Sequence, residues 1–202
     1  MPKRGAEAIA RHLSHRDELA CKDFLDWFDD MDGIRAKIGR LIQCTADDIA
    51  FVQNASSALA VLISGLEWKP GDRVITLEGE FPNNLYAPGA LGTRGVEFIE
   101  CPWDRFYESV DERTRLVLLS SANYITGFVP PVEEISTYLR SRGALLFIDG
   151  TQSVGALQFD VRRLQPDMLA VHGYKWLLCP NGAGFMYVRP ELRERLPANV
   201  VG

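Results

Sequence analysis

The chain is poor in the residues that build metal centres and disulfide frameworks. Of 202 residues, four are cysteine and three are histidine. Cys21, Cys44, Cys101 and Cys179 are scattered, no pair has C-x-x-C spacing, and no histidines cluster beside them. A structural metal site or disulfide scaffold is therefore not expected, and a reducing cytoplasm is the simplest setting. Neither sign of charge dominates, with 22 Lys and Arg against 27 Asp and Glu and a formal net charge of −5. No basic run is long enough to suggest a nucleic-acid surface. Long apolar runs are missing too: Leu116–Leu119 and Ala144–Ile148 are strand-sized, so no membrane span is expected. Met1-Pro2-Lys3-Arg4 starts basic but no signal-length apolar core follows, so secretion is not expected. No G-x-G-x-x-G or Walker-type glycine run follows a candidate strand, which disfavours a nucleotide-binding domain. There is no internal repeat.

What is present is enough apolar content, 47%, to bury one sizeable core. From Glu7 to about Ile38 apolar residues recur at helical spacing, predicting one or two amphipathic helices broken near Asp32-Gly33 or around Ser14. Ile49–Val52 reads as a short strand, Asn54-Ala55-Ser56-Ser57 as a cap, and Ala58–Leu66 as the helix it opens. Arg73–Leu77 and Val96–Ile99 read as strands on either side of a Pro- and Gly-rich stretch, Glu80–Gly92. Leu116–Ser120 and Leu145–Ile148 are nearly all apolar, as strands covered on both faces should be, and Pro131–Arg142 between them reads as a crossover helix. Met168–Val171 and Phe185–Val188 complete the set, too close together for a full crossover, which suits an antiparallel pair. This alternation predicts an α/β fold with a mostly parallel sheet of the seven-stranded type and helices on both faces. The expected organisation is an N-terminal helical segment at 1–40 and an α/β domain at 41–190.

The chemistry gathers in two places. Lys175 follows the strand-like run Met168–Val171 and precedes Trp176-Leu177-Leu178, an unusual setting for a solvated surface lysine. Asp149 ends an apolar strand, the position where ligands sit in open α/β sheets. One lysine able to form a Schiff base and one carboxylate able to keep a pyridine nitrogen protonated are the protein groups pyridoxal phosphate most needs. As an alternative, Asp149 is a turn aspartate before Gly150. Gln152 either donates to the cofactor's phenolic oxygen or closes the loop. Asn54-Ala55-Ser56-Ser57, at a helix N-terminus, suits a phosphate dianion, though such residues also serve as plain caps. Phe81 follows a strand end and either stacks on a ring or packs in the core. Asn123, or its neighbour Tyr124, reaches the phenolic oxygen. His12 and His15 read as solvated, Trp27, Phe28, Trp68 and Trp103 as packing residues, and Cys179 as a buried, inert thiol.

These residues carry a likeness. Asp149-Gly150-Thr151-Gln152-Ser153-Val154-Gly155-Ala156 and the run from Gly173-Tyr174-Lys175 to Gly184-Phe185 resemble the large domain of the class V aminotransferase family. So, less strongly, do Glu80-Phe81-Pro82-Asn83-Asn84 and Asn54-Ala55-Ser56-Ser57. That family is a branch of the fold-type I pyridoxal-phosphate enzymes that includes cysteine desulfurases, selenocysteine lyases, kynureninases and isopenicillin N epimerase-like proteins. The resemblance implies pyridoxal 5'-phosphate as cofactor, Lys175 as its Schiff-base lysine and Asp149 as partner of the ring nitrogen. It implies Gln152 at the phenolic oxygen, Phe81 in the stacking place often held by histidine, and Ala55 and Ser56 at the phosphate. His172 falls where a serine or threonine often touches the phosphate, and Tyr174 where histidine commonly precedes the lysine. An amino-acid substrate and a homodimer with the site at its interface are implied as well. The resemblance further implies that 41–190 is a cofactor-binding large domain and that 191–202 starts a linker to a small C-terminal domain absent from the chain. Aminotransferase, desulfurase or lyase, and epimerase chemistries stay open, as does a truncated or non-catalytic cofactor-binding homologue.

Overall fold

The computed structural model describes residues 1–197. Its centre is a seven-stranded sheet in the spatial order β1-β7-β6-β5-β4-β2-β3, built from β1 (Ile49–Val52), β2 (Arg73–Leu77), β3 (Glu97–Cys101), β4 (Thr114–Ser120), β5 (Leu145–Asp149), β6 (Met168–His172) and β7 (Gly184–Val188). Strands β2 to β6 pair parallel, and β7 runs antiparallel to both β6 and β1. The short β6–β7 connection permits only that antiparallel pairing, because a parallel crossover needs a dozen or more residues.

The near-continuous apolar runs of β4 and β5 have a direct cause. Side chains alternate across a strand, and both faces of this sheet are covered. Val117, Leu119, Leu146 and Ile148 pack on one side with Ile135 and Leu139 of helix α6 (Val132–Arg140). Leu116, Leu118 and Phe147 pack on the other with Ala58, Leu59 and Leu62 of helix α3 (Ala55–Gly65).

The N-terminal segment forms two helices, α1 (Lys3–Leu19) and α2 (Phe24–Ile42). The break falls at Ala20–Asp23, where Ala20 takes φ 52°, and not at Gly33 or Ser14 as the sequence suggested. A lone interior glycine costs a helix only about 1 kcal/mol, which the rest of a 19-residue helix absorbs. No residue of α1 is buried, and α2 anchors on the core through its last turn at Gly39 and Ile42. Phe28, expected to pack, is 54% exposed. The Pro- and Gly-rich stretch is not all loop: Asn83–Gly89 is helical (α4), with Pro88 inside it. Pro82 at the cap and the short length let this helix form despite its composition. Two further short helices, α5 (Phe106–Ser109) and α7 (Val161–Leu164), had no clear sequence signal, and α8 (Pro190–Arg193) spans the predicted start of the linker at 191; residues 198–202 of that linker lie outside the described residues. No helix of the described residues is long and apolar enough to cross a membrane.

Candidate active site

Because β1 opposes β7 and β7 opposes β6, the carboxyl ends of β1, β2, β4, β5 and β6 all lie at one edge of the sheet. Val52 and His172 are both paired with Gly184 in register, which sets the start of α3 beside the end of β6. Outside this edge lies a cleft of about 340 Å³, lined by Ala55, Ser56, Phe81, Asp149, Gln152, His172 and Lys175, seven of the eight predicted site residues. Asn54, Asn83, Ser120, Tyr124, Thr151, Tyr174 and Asn181 complete its wall.

Asn123, the eighth, faces elsewhere. Its Nδ2 donates to the Gly79 carbonyl, and its Oδ1 accepts from Ile125 N–H, Thr126 N–H and the Thr126 hydroxyl. Its carbonyl oxygen and one of its two amide N–H groups are engaged in shaping the loop after β4, and it borders a separate cavity. Tyr124, the competing candidate, takes the place on the cleft wall, edge-on to Phe81 with ring centroids 5.3 Å apart. Phe81 itself is 41% exposed, so it is not a core residue.

At the anionic end, Asn54 caps α3 by accepting the Ser57 N–H at 2.8 Å. A single side chain satisfies one of the helix's unpaired first-turn donors. The earlier N–H groups, of Ala55 and Ser56, border the cleft, where they and the helix dipole favour a phosphate.

Asp149 is 6% exposed at the cleft floor. Its Oδ1 accepts the Thr151 N–H at 2.9 Å, and the Thr151 hydroxyl in turn accepts the His172 N–H at 3.0 Å, tying the ends of β5 and β6 together. Burial pushes the Asp149 carboxyl above its ordinary range, opposed by the hydrogen bonds from Thr151; the nearby Glu80 adds to the rise and Lys175 counters it. Burial alone lowers the His172 imidazole, favouring its neutral form, and raises the Cys179 thiol, in keeping with an inert cysteine. His172 lies against Tyr174, ring centroids 4.3 Å apart.

Lys175 stands on the β6–β7 connection, its Nζ 5.7 Å from the centre of the Tyr174 ring. The loop is closed by Gly173 N–H on the Ala183 carbonyl and Cys179 N–H on the Gly173 carbonyl. Gly173 is held on all sides: a Cβ there would lie 2.8 Å from the Ala183 oxygen and 2.9 Å from Cys179 Sγ. Gly173→Ala is therefore expected to shift the loop that carries Lys175, lowering stability by about 1–3 kcal/mol and weakening ligand uptake in the cleft. Thermal melts and equilibrium dialysis check both, and a variant indistinguishable from wild type would show that this packing does not position the lysine.

Behind the wall, on the side of the separate cavity, lies a polar cluster to which sequence reasoning assigned no role. Glu80 is 4% exposed; one carboxylate oxygen accepts the Ser120 N–H at 2.7 Å, the other the Ser120 hydroxyl at 2.5 Å and Asn84 Nδ2 at 3.0 Å. A carboxylate only accepts, so Asn84 must turn its NH2 toward Glu80 and its oxygen toward Asn83 Nδ2, 3.3 Å away. That leaves Asn83 Oδ1 without Asn84 as a partner. This oxygen and His172 Nε2 are buried, have no hydrogen-bond partner among the described residues, and belong to residues bordering the cleft. Thr151 was within reach of sequence reasoning, because Asp-Gly-Thr is an Asx-turn signal. Glu80 and Ser120 were not, since only the fold brings two residues forty positions apart into contact.

The fold and this cleft define an α/β domain of the large-domain type found in pyridoxal-phosphate-dependent transferases. The comparisons with known proteins narrow this further. Residues 24–202 match the family described as Aminotransferase class-V. A probable cysteine desulfurase of Methanothermobacter thermautotrophicus is 32% identical over 176 residues, spanning 83% of this chain and 44% of that protein. Among solved structures, the cystine C–S lyase C-DES in complex with its reaction product cysteine persulfide superimposes with a TM-score of 0.91 at 24% identity, over all of this chain and 58% of that one. The apo structure of a cysteine desulfurase from Thermococcus onnurineus gives a TM-score of 0.79 at 25% identity, over 85% of this chain and 46% of that one. The chain belongs to the class V aminotransferase family. It spans about half the length of the relatives it matches.

Proposed function

We propose that this domain binds pyridoxal 5'-phosphate and serves an enzyme that acts on an amino acid. The observation that carries the reading is one cleft holding a lysine amine, a buried carboxylate and an open helix N-terminus, the three groups this cofactor requires. The residues present fit it. Ala55 and Ser56 N–H groups would hold the phosphate, Asp149 the ring nitrogen, Lys175 the aldehyde carbon, and Gln152, whose side chain has no hydrogen-bond partner among the described residues, the phenolic oxygen. Phe81 and Tyr124 would cover the ring. Once bound, the cofactor supplies an electron sink for charge developing at the substrate's α-carbon.

The protein's own part is positioning and proton transfer. Lys175 Nζ would take and return the proton at the α-carbon. Asp149 would keep a proton on the ring nitrogen through its charge. Phe81, Tyr124 and Tyr174 would flank the reacting carbon in the carboxyl-end cleft. Aminotransferase, desulfurase or lyase, and epimerase outcomes share these steps, and the names of the relatives support the desulfurase or lyase branch. Purified protein incubated with the cofactor is expected to develop a visible absorbance band and to retain about one equivalent per chain after dialysis. A colourless protein that retains none would contradict the reading.

We also propose that a second copy of the chain covers the apolar face beside the site. Leu13, Phe24, Leu25 and Phe28 are exposed on α1 and α2, and Trp176 and Leu178 on the loop of Lys175. So many exposed large apolar side chains on a water-facing surface mark an interface, and a two-fold pairing is the commonest closed solution. Sedimentation is expected to give a dimer that Leu25→Asp with Phe28→Asp converts to monomer. An unchanged mass for the double variant would place the contact elsewhere. Four unpaired thiols suit a cytoplasmic setting.

A further inference from the structure

We propose that Glu80 is a positioning residue: a second buried carboxylate which, from behind Ser120, acts with Asp149 to keep the ring nitrogen of the bound cofactor protonated. The inference rests on the cleft being a pyridoxal-phosphate site.

Gly79, with φ 72°, turns the chain after β2 so that Glu80 points inward. Its three partners, Ser120 N–H, the Ser120 hydroxyl and Asn84 Nδ2, all donate to it, the arrangement of an ionised carboxylate. Ser120 is the register partner of Asp149 on the neighbouring strand and itself borders the cleft. Glu80 and Asp149 therefore flank one residue at the cleft floor, and the field of Glu80 opposes ionisation of Asp149. None of the ion pairs among the described residues involves either carboxylate. Lys175 is the one cation acting on Asp149, and the other titratable groups on the wall are Tyr124, His172 and Tyr174.

A neutral glutamine could keep both Ser120 contacts, its oxygen accepting the N–H and its amide donating to the serine hydroxyl, and would lose the bond from Asn84 Nδ2. Holding Ser120 thus does not by itself require a buried charge, which is unfavourable unless a cation meets it. Attachment of the cofactor removes the free amine of Lys175 while adding a basic ring nitrogen. Two carboxylates then face one acquired proton, and each raises that nitrogen's affinity for it.

The test uses holoprotein of the full chain loaded with cofactor isotopically labelled at the ring nitrogen, whose NMR shift reports ring protonation directly. Wild type is expected to stay protonated from about pH 6 to about pH 9, while Glu80→Gln loses the proton at a midpoint lower by about one unit or more. Glu80→Asp, which keeps the charge but shortens the reach to Ser120, is expected to follow wild type. A Glu80→Gln curve that superimposes on wild type would overturn the proposal. So would an equal shift in Glu80→Asp, which would mean that the contact and not the charge matters. If Glu80→Gln does not fold, carboxyl NMR of wild-type holoprotein decides: Glu80 ionised at neutral pH supports the proposal, Glu80 protonated overturns it. Wild-type protein that takes up no cofactor would instead overturn the functional reading and this inference together.

Discussion

Lys175→Ala is expected to abolish covalent cofactor retention and to lower turnover of the proposed amino-acid reaction by at least about 10²–10⁴-fold, the share due to proton transfer alone. The fold should survive. Lys175 Nζ makes no ion pair among the described residues; it lies 5.7 Å from the centre of the Tyr174 ring and acts on Asp149 through its field, so stability should stay within about 1 kcal/mol of wild type. Absorbance after dialysis, steady-state rates and a thermal melt check the three parts separately. A variant that keeps both the visible band and its rate would remove Lys175 from the chemistry. A variant that fails to fold would give the loop a structural role that its contacts do not suggest.

Asp149→Asn is expected to act in opposite directions on the empty and the loaded protein. Burial raises the folded-state pKa of this carboxyl, so the native protein holds its proton more tightly than the unfolded chain does. The sign of the linkage follows: stability drops as pH rises from the unfolded value, about 3.9, through the folded one, and stays reduced above it. Asparagine keeps an acceptor for the Thr151 N–H but carries no charge. The cofactor-free variant should therefore melt higher than cofactor-free wild type, by about 2–4 °C for each kcal/mol recovered, and the gap should be wider at pH 8 than at pH 5. Cofactor affinity should move the other way, falling by about 10- to 10³-fold, the effect of removing an opposite charge beside a titrating group. Equal melting of the two empty proteins at both pH values would show that Asp149 carries no burial penalty.

Much of this was legible in the sequence because burial on both faces of a sheet leaves a plain record. Arg73–Leu77 was predicted to the residue, and the apolar runs ending at Ser120 and Asp149 gave β4 and β5 to within two residues. Ligands in open α/β sheets sit at strand ends, and seven of the eight predicted site residues border one cleft there. The failures have physical causes. The break between α1 and α2 was sought at Gly33, but glycine only weakens a helix, and the stop came at Ala20 in an unusual backbone conformation. Asn123 carried the right residue type at a strand end, yet its side chain answers three local donors that no linear pattern reveals. The Glu80–Ser120 contact spans two strand ends and could be seen only once β2 and β4 were known to be neighbours.

Borohydride reduction of the cofactor-loaded protein followed by peptide mass spectrometry tests the central claim most directly. The account predicts a single reduced cofactor adduct on the peptide carrying Lys175, and none in Lys175→Ala. An adduct on another lysine, or no adduct in protein that has been saturated with cofactor, would contradict it.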